Sequence, residues 1–300
     1  METRKVAVIG YPVKHSLSPK LHGYWLDFYK KDLEEKGIRG EYVAREVAPE
    51  ELEDFILNMK ENGYVGCNIT LPHKGRLFDF LLNEDNESLS TAARTVCAVN
   101  TIVVKSEGGL FATNTDYYGF VSNIKENAPD FDFATGKAVV LGAGGAARAI
   151  ITALVIEGVT EIVIINRTKE NAEKIKEDVD SIKNFVRDWK YEPKIAIADW
   201  EDRSEVLEGA NLLVNTTSLG MQGQPALDID LEKLPKSALV TDIVYKPLET
   251  DLLKKAKERG NVVVDGLGML LYQAVAGFKM WFGITPKVTK ELREYIESEL

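Results

Sequence analysis

Lys137-Ala-Val-Val-Leu-Gly142-Ala-Gly144-Gly-Ala-Ala147-Arg148 is the stretch that decides the fold. Its first five residues read as an apolar strand, and a helical run follows from Arg148 to Glu157. Between them, Gly142 permits a tight turn, Gly144 lets the backbone approach a pyrophosphate, and small Ala147 allows close helix–strand packing. The helix N-terminus adds free N–H groups and a positive dipole for the phosphates. Strand, glycine loop and helix in that order predict a dinucleotide site, with Gly142, Ala143, Gly144, Gly145 and Ala146 as the contacts.

The next strand, Glu161 to Ile165, indicates which dinucleotide. A site for NAD usually ends this strand on Asp or Glu, about 20 residues beyond the loop, to bond the ribose hydroxyls. Here it ends on Asn166-Arg167-Thr168-Lys169, without a carboxylate. A guanidinium offers a charged fork of donors that suits a 2′-phosphate. The expected cofactor is therefore NADP(H).

Outward from this unit, further strands are predicted at 194–198, 211–214, 238–243 and 261–265, with a helix at 169–178. Together they make a nucleotide-binding unit of about 150 residues, placed second in the chain. The preceding third alternates in the same way. Strands are predicted at 5–9, 41–47, 65–69 and 99–104, helices at 18–31, 50–62 and 74–82, and a short strand, Leu110 to Ala112, after the Gly108-Gly109 turn. Such alternation predicts an α/β fold with parallel sheets. Asn114 to Gly119 is the expected linker. The tail from Gly266 has two helical patterns split at Gly283-Ile-Thr-Pro286, where Thr285 is a natural N-cap with Pro286 at the first helical position.

Bulk properties narrow the function classes. The 300 residues suffice for about two domains. A formal net charge of −10 argues against non-specific binding to nucleic acid or anionic membrane. The apolar stretches Ala149 to Ile156 and Val262 to Phe278 are too short or too interrupted to span a bilayer, which takes about 20 apolar residues. The N-terminus lacks a signal-peptide pattern. Cys67 and Cys97, each within an apolar strand-like segment, read as buried free thiols of a cytoplasmic protein. No internal repeat is present.

Polar clusters interrupt the first third where its strands should end: Gly10 to Pro19, Gly66 to Lys74, Ala98 to Thr101, and Asn114 to Asp116. Ligands of open α/β sheets bind beyond the carboxyl ends of the strands. Hydroxyls, amides, one ammonium and one carboxylate suit a neutral polyol bearing a carboxylate, rather than a phosphate or a metal.

In these residues the chain resembles the shikimate dehydrogenase family, from about Val6 to the end of the helix that follows Gly266. The resemblance implies reversible, NADPH-dependent reduction of 3-dehydroshikimate to shikimate, in aromatic amino acid biosynthesis. Gly10 to Pro19 resembles the family's opening loop, in which Ser16 and Ser18 would hold the substrate carboxylate. Asn68-Ile-Thr70-Leu-Pro-His-Lys74 resembles the segment bearing the catalytic Lys, here Lys74, with Asn68 and Thr70 on the substrate. Asn100 and Asn114-Thr115-Asp116 resemble the segments that bond ring hydroxyls, with Asp116 as the catalytic partner of Lys74. Asn215 to Met221 is similar to the loop beside the nicotinamide, implicating Thr216, Ser218 and Met221. Asp242-Ile243-Val-Tyr245 and Gly266-Leu-Gly-Met269 to Gln273 complete the pattern. Tyr245 and Gln273 would reach substrate, and Ile243, Gly266 and Met269 the nicotinamide. The family's fold implies a substrate domain made of 1–115 plus 266–300, a Rossmann domain of 116–265, and a monomer or homodimer. A second Arg, common in the family three residues after Asn-Arg-Thr, is replaced by Asn171, and Lys169 is the available substitute. No role falls to His73, and no metal is implied.

Local readings compete with these roles. Ser16 or Ser18 could cap the helix near Pro19, and Thr115 or Asp116 the helix at Tyr117. For Lys74, a neighbouring carboxylate favours the charged form and burial opposes it, so its shift is open at this stage. Rival functions are a quinate- or NAD-preferring member of the family, a ligand sensor, whose mark would be loss of Lys74 or Asp116, and a reductase for an unrelated ketone.

Overall fold

Val6, Ala7, Val8 and Ile9 form an unbroken apolar run and all are buried, as expected of a strand covered on both faces. They end β1 (Glu2–Gly10), which takes a parallel neighbour on each side, β2 (Ile38–Glu46) and β3 (Tyr64–Ile69). With β4 (Thr101–Val104) and β5 (Leu110–Thr113) they form a five-stranded sheet of order β2-β1-β3-β4-β5. The structure is a computed structural model that describes residues 1–182 and 193–300. Its chain divides into two compact units, Met1–Thr115 with Leu271–Glu299, and Asp116–Leu270 with Leu300.

In the first unit the expectation of a wholly parallel sheet is corrected. β4 runs antiparallel to β3, and β5 antiparallel to β4. For β5 against β4, chain length is the reason. β4 and β5 are joined by a tight turn, in which Gly108 N–H donates to Lys105 O (3.1 Å). A parallel return would need a crossover of about a dozen residues or more.

Helices of this unit are shorter than their sequence patterns. The pattern at 18–31 forms α1 (Ser18–Phe28) and continues into α2 (Lys30–Glu35), with the break at Tyr29. The pattern at 50–62 forms a single 3₁₀ turn, Pro49–Glu51, and α3 (Leu52–Leu57). It stops where the Asn58 amide turns back onto Asp54 O (2.8 Å). α4 (His73–Glu84) follows β3, and α5 (Thr91–Val96) is capped by Ser90, whose Oγ accepts from Ala93 N–H (3.1 Å). Cys97 lies in no strand. It caps the C-terminus of α5 at φ 51° and is half-buried, whereas Cys67 is buried on β3.

The second unit is Rossmann-type. α6 (Asp116–Asn127) begins where the linker was expected, so the chain leaves the first unit directly into a helix. Next come β6 (Lys137–Leu141), α7 (Gly145–Ile156), β7 (Glu161–Ile165) and α8 (Lys169–Ile182). They are followed by β8 (Lys194–Ala198), β9 (Ala210–Asn215), β10 (Leu239–Asp242), α9 (Asp251–Glu258) and β11 (Val262–Val264). All six strands are parallel, in the order β11-β10-β9-β6-β7-β8. Renumbered within the unit, this is the doubly wound order 3-2-1-4-5-6. α7 starts at Gly145 rather than at Arg148, and buries Ala147, Ile150, Ile151 and Leu154. Burying each large aliphatic side chain of this kind is worth about 1.5–3 kcal/mol.

The tail begins with α10 (Leu267–Phe282) and ends in α11 (Lys290–Glu297). Trp281 Nε1–H donates to Ile102 O (2.9 Å) and Arg4 donates to Trp281 O (2.9 Å), which ties this end of α10 to the first sheet. Thr285 is not an N-cap. Thr289 is, accepting from Leu292 N–H (3.3 Å). Residues after Pro286 are held out of a helix because Trp25 Nε1–H donates to Lys287 O (3.1 Å) and Lys287 N–H donates to Tyr29 Oη (3.2 Å). Among the described residues no helix is long and apolar enough to cross a membrane.

Candidate active site

In the first unit, register builds a connected row of polar side chains. β1 lies between β2 and β3, with Val6 opposite Tyr42 and Val8 opposite Asn68. Positions two apart on a strand share a face, so Tyr42 and Asn68 lie on one face of the sheet. The Tyr42 hydroxyl donates to Asn68 Oδ1 at 2.6 Å. Asn68 Nδ2 donates to Asn100 O and to Thr101 Oγ1, both at 3.2 Å. Asn100 Oδ1 accepts from Thr101 Oγ1 (2.8 Å) and from Thr115 N–H (2.9 Å), while Asn100 Nδ2 donates to Thr115 Oγ1 (3.0 Å). The Thr115 hydroxyl lies 3.3 Å from Gln273 Oε1 on α10. Asn68, Asn100, Asn114 and Thr115 are all buried. Unpaired amides there would carry a desolvation cost, and this row of bonds removes much of it.

The remaining residues expected in this unit flank the row. Ser18 is buried as the first residue of α1. Ser16 Oγ accepts from Ser18 N–H (3.3 Å), a local turn role, and no side chain caps α1. Thr70 follows β3 and its N–H donates to Ile9 O (2.9 Å). Lys74 is the second residue of α4 and half-buried, and its carbonyl accepts from Val99 N–H (3.0 Å), beside Asn100. His73 is buried and its Nε2 bonds to Val47 O (2.8 Å), so its role is to hold the loop after β2.

In the second unit, Gly142 has φ 108°, and a Cβ there would come within 2.5 Å of Thr216 Oγ1. Thr216 is fixed against that turn, since its N–H and its hydroxyl both donate to Leu141 O (2.8 and 2.6 Å). Beside Gly144 and Gly145 a Cβ would meet nothing within 4 Å, leaving the start of α7 open to a ligand. Ala143 and Ala146 complete the loop. At the end of β7, Asn166 Nδ2 donates to Thr168 O (2.8 Å) and turns the chain. Arg167 is exposed and has no ion-pair partner among the described residues. Lys169 does have one, Asp199, at 3.3 Å.

The ends of β9 and β10 are locked together. Asn215 Nδ2 donates to Asp242 Oδ1 (3.0 Å), and Asn215 Oδ1 accepts from Thr217 N–H (3.0 Å). Asp242 also accepts from Val244 N–H (3.0 Å) and Thr250 Oγ1 (2.8 Å). Burial pushes the Asp242 carboxyl up to about 6, against the pull of those donors. This network sets both the Thr216–Ser218–Met221 loop and the turn bearing Ile243 and Tyr245. Burial raises the Tyr245 phenol above its usual value. Gly266 is pressed against the same turn, since a Cβ there would lie 2.4 Å from Ile243 O. Met269 is half-buried on the first turns of α10. Asp116 is buried as the first residue of α6.

Tyr42 and Thr250 went unread in the sequence, and Thr101 and Thr217 were read only as members of polar segments. Strand register brings Tyr42 to its partner, so no local motif marks it, whereas Thr250 also caps α9 by accepting from Leu253 N–H, a local signal that was there to read.

A six-stranded doubly wound sheet, an open glycine loop and an α/β unit with a buried amide row together define a Rossmann-type, two-unit α/β chain. Residues 8–102 match the family described as shikimate dehydrogenase substrate binding domain, 124–195 shikimate / quinate 5-dehydrogenase, and 266–290 the shikimate 5′-dehydrogenase C-terminal domain. A curated relative named shikimate dehydrogenase (NADP(+)), from Paramagnetospirillum magneticum, is 45% identical over 99% of both chains. The shikimate 5-dehydrogenase of Thermus thermophilus, solved with NADP(H) and shikimate, is 33% identical with TM-score 0.78, over 99% of this chain and 100% of that one. The quinate dehydrogenase of Corynebacterium glutamicum, solved with NAD, is 27% identical with TM-score 0.83, over 99% of each. This chain belongs to the shikimate dehydrogenase family.

Proposed function

We propose that this protein is an NADP-dependent shikimate dehydrogenase, reducing 3-dehydroshikimate reversibly to shikimate in the cytoplasm, as a step of aromatic amino acid biosynthesis. Carrying this reading is the 45% identity, end to end, with a relative of that name. Residues 1–115 and 266–300 serve as substrate domain, and 116–265 as cofactor domain. The active species is a monomer or homodimer that needs neither nucleic acid, membrane nor metal.

The residues present fit NADP(H): the open loop at Gly142–Gly145 would take the pyrophosphate at the N-terminus of α7, and Asn166, Arg167, Thr168 and Lys169 the 2′-phosphate. NADP(H) held there would supply the hydride for reduction at the ring carbon and take it back in oxidation. Thr216, Ser218, Met221, Ile243, Gly266 and Met269 orient the nicotinamide. Ser16 and Ser18 take the substrate carboxylate, while Asn68, Thr70, Asn100, Tyr245 and Gln273 hold the ring. Lys74 gives the developing alkoxide its proton in reduction and takes it back in oxidation. Asp116 carries the second catalytic role, sharing the proton of a ring hydroxyl.

Initial rates of nicotinamide reduction with shikimate and quinate, each with NADP and NAD, test the reading. Activity confined largely to shikimate with NADP supports it. Comparable rates with quinate or NAD would transfer the protein to the dual-specificity branch, and no rate from folded protein would overturn it.

A further inference from the structure

Asn123 is a buried amide on α6, two helical turns beyond Asp116 and therefore on the same helix face. Its Nδ2 donates to Asp265 O at 2.7 Å, the carbonyl that directly follows β11. The direction of this amide is fixed from behind. Asn127 Nδ2 donates to the backbone oxygen of Asn123 (2.9 Å), which can only accept, and also to Asn123 Oδ1 (3.0 Å). Turning the Asn123 amide over would set its NH₂ against the Asn127 NH₂, and its oxygen against Asp265 O. The polarity of the pair thus aims the Asn123 donor at the start of α10.

Gly268 makes room for that amide. A Cβ on Gly268, the second residue of α10, would lie 2.5 Å from Asn123 Cγ and nearer still to Oδ1. Any side chain at 268 would push the amide aside and break its bond to Asp265 O. Between the two points, Asp265 Oδ1 accepts from Leu267 N–H (3.0 Å) and starts the helix, while Gly266 is pressed against Ile243 O. The segment from Asp265 to Gly268 is therefore gripped by the turn after β10 on one side and by α6 on the other. Met269 follows it directly.

We infer that Asn123 is a positioning residue for hydride transfer: its amide, admitted by Gly268, fixes the segment that carries Gly266 and Met269 and so sets where the nicotinamide sits. The inference rests on the assignment of Gly266 and Met269 to the nicotinamide made above. It deepens that assignment by separating two parts of cofactor binding. The phosphate contacts lie elsewhere, at Gly142–Gly145 and Asn166–Lys169, so overall affinity does not depend on Asn123. Placement of the reacting end does.

The test compares wild type, Asn123→Ala, Asn123→Asp, Gly268→Ala and the double variant Asn123→Ala/Gly268→Ala. Two quantities are read: the dissociation constant for NADP, and the stopped-flow rate and amplitude of the first turnover when the enzyme–NADPH complex meets 3-dehydroshikimate. In Asn123→Ala the rate is expected to fall about ten- to a hundredfold, the cost of a small misplacement of reacting groups. Amplitude and NADP affinity should stay at wild-type values. Asn123→Asp keeps the shape but offers Asp265 O no donor, so it should match Asn123→Ala. Gly268→Ala should show the same loss, and the double variant should be no slower than Asn123→Ala, because both changes act through one contact. An unchanged rate in the two Asn123 variants overturns the proposal. So does a reduced amplitude at the wild-type rate, the mark of a merely less stable protein, and so do losses at 123 and 268 that multiply. Should Gly268→Ala fold poorly, the two Asn123 variants still decide. Wild-type protein that reduces no 3-dehydroshikimate would instead overturn the function proposed above.

Discussion

The His22 imidazole lies flat on the Tyr42 ring, centroids 4.1 Å apart and planes 9° from parallel. Trp25, Phe278 and Trp281 close around the pair. His22 is fully buried and neither ring nitrogen has a hydrogen-bond partner. It therefore serves here as an aromatic plate that keeps the Tyr42 hydroxyl in place, at the cost of two unsatisfied polar atoms.

That cost depends on pH. Burial lowers the His22 pKa to about 3, against 6.5 for the free group. A base depressed in the fold leaves the unfolded chain holding more protons between those values, so stability is complete above about 6.5 and falls as pH drops toward 3. Relative to His22→Phe, the wild type is expected to lose up to about 5 kcal/mol across that window. At neutral pH, His22→Phe should be the more stable protein by about 1–3 kcal/mol, since the stacking stays and the orphaned nitrogens go. Urea unfolding of both proteins at pH 4 and 7 checks this, and parallel curves would mean that His22 finds a partner in solution.

Asp242 has the opposite sign. Its carboxyl is raised from 3.8 to about 6 by burial, so the native state holds the extra proton between these values. Stability from this group is greatest below about pH 4 and declines as pH rises through 6, by up to about 3 kcal/mol. Asp242→Asn cannot titrate. Although it disturbs the bonds to Asn215, Val244 and Thr250 at every pH, its deficit against wild type should narrow by about that amount between pH 4 and 7. A constant deficit would refute the elevated value.

Arg167 and Lys169 differ in availability. Arg167 is exposed, while Lys169 already has Asp199 at 3.3 Å. Arg167→Ala is expected to raise KM for NADP by about tenfold or more, with little change for NAD, because a charge-assisted bond to the 2′-phosphate is lost. Asp199→Asn frees Lys169 and should lower KM for NADP, but only about two- to threefold, as the pair is solvent-screened. Equal effects on NADP and NAD would show that these side chains do not read the 2′-phosphate.

What the sequence made legible depended on range. The glycine loop was readable because a turn, an approaching phosphate and a close helix each demand a small residue at a fixed offset. Thr285-Pro286 misled for the converse reason. Its local capping signal is sound, but Trp25 and Tyr29, far back in the chain, take the backbone of Lys287 and delay the helix to Thr289. The antiparallel β4 and β5 were hidden because apolar runs do not carry strand direction, although the Gly108-Gly109 turn between them was visible. Tyr42 was unreadable altogether, since its meeting with Asn68 follows from the register of two strands across a third.

Lys74 provides the most direct check on the catalytic assignment. α4 places it immediately after buried His73, which is tied to Val47 O, and its own carbonyl is held by Val99 N–H. The backbone at this point is thus fixed at two places independent of the ammonium group. Removing the side chain in Lys74→Ala should leave the fold and the glycine loop intact. Turnover should fall by about 10²–10⁴-fold, the usual contribution of a positioned proton donor. The dissociation constant for NADP, read by fluorescence titration, should match the wild type, because the loop at Gly142 and the Arg167 turn are untouched. Loss of cofactor affinity in step with turnover would place Lys74 in the wrong role, and retained turnover would show that the alkoxide takes its proton elsewhere.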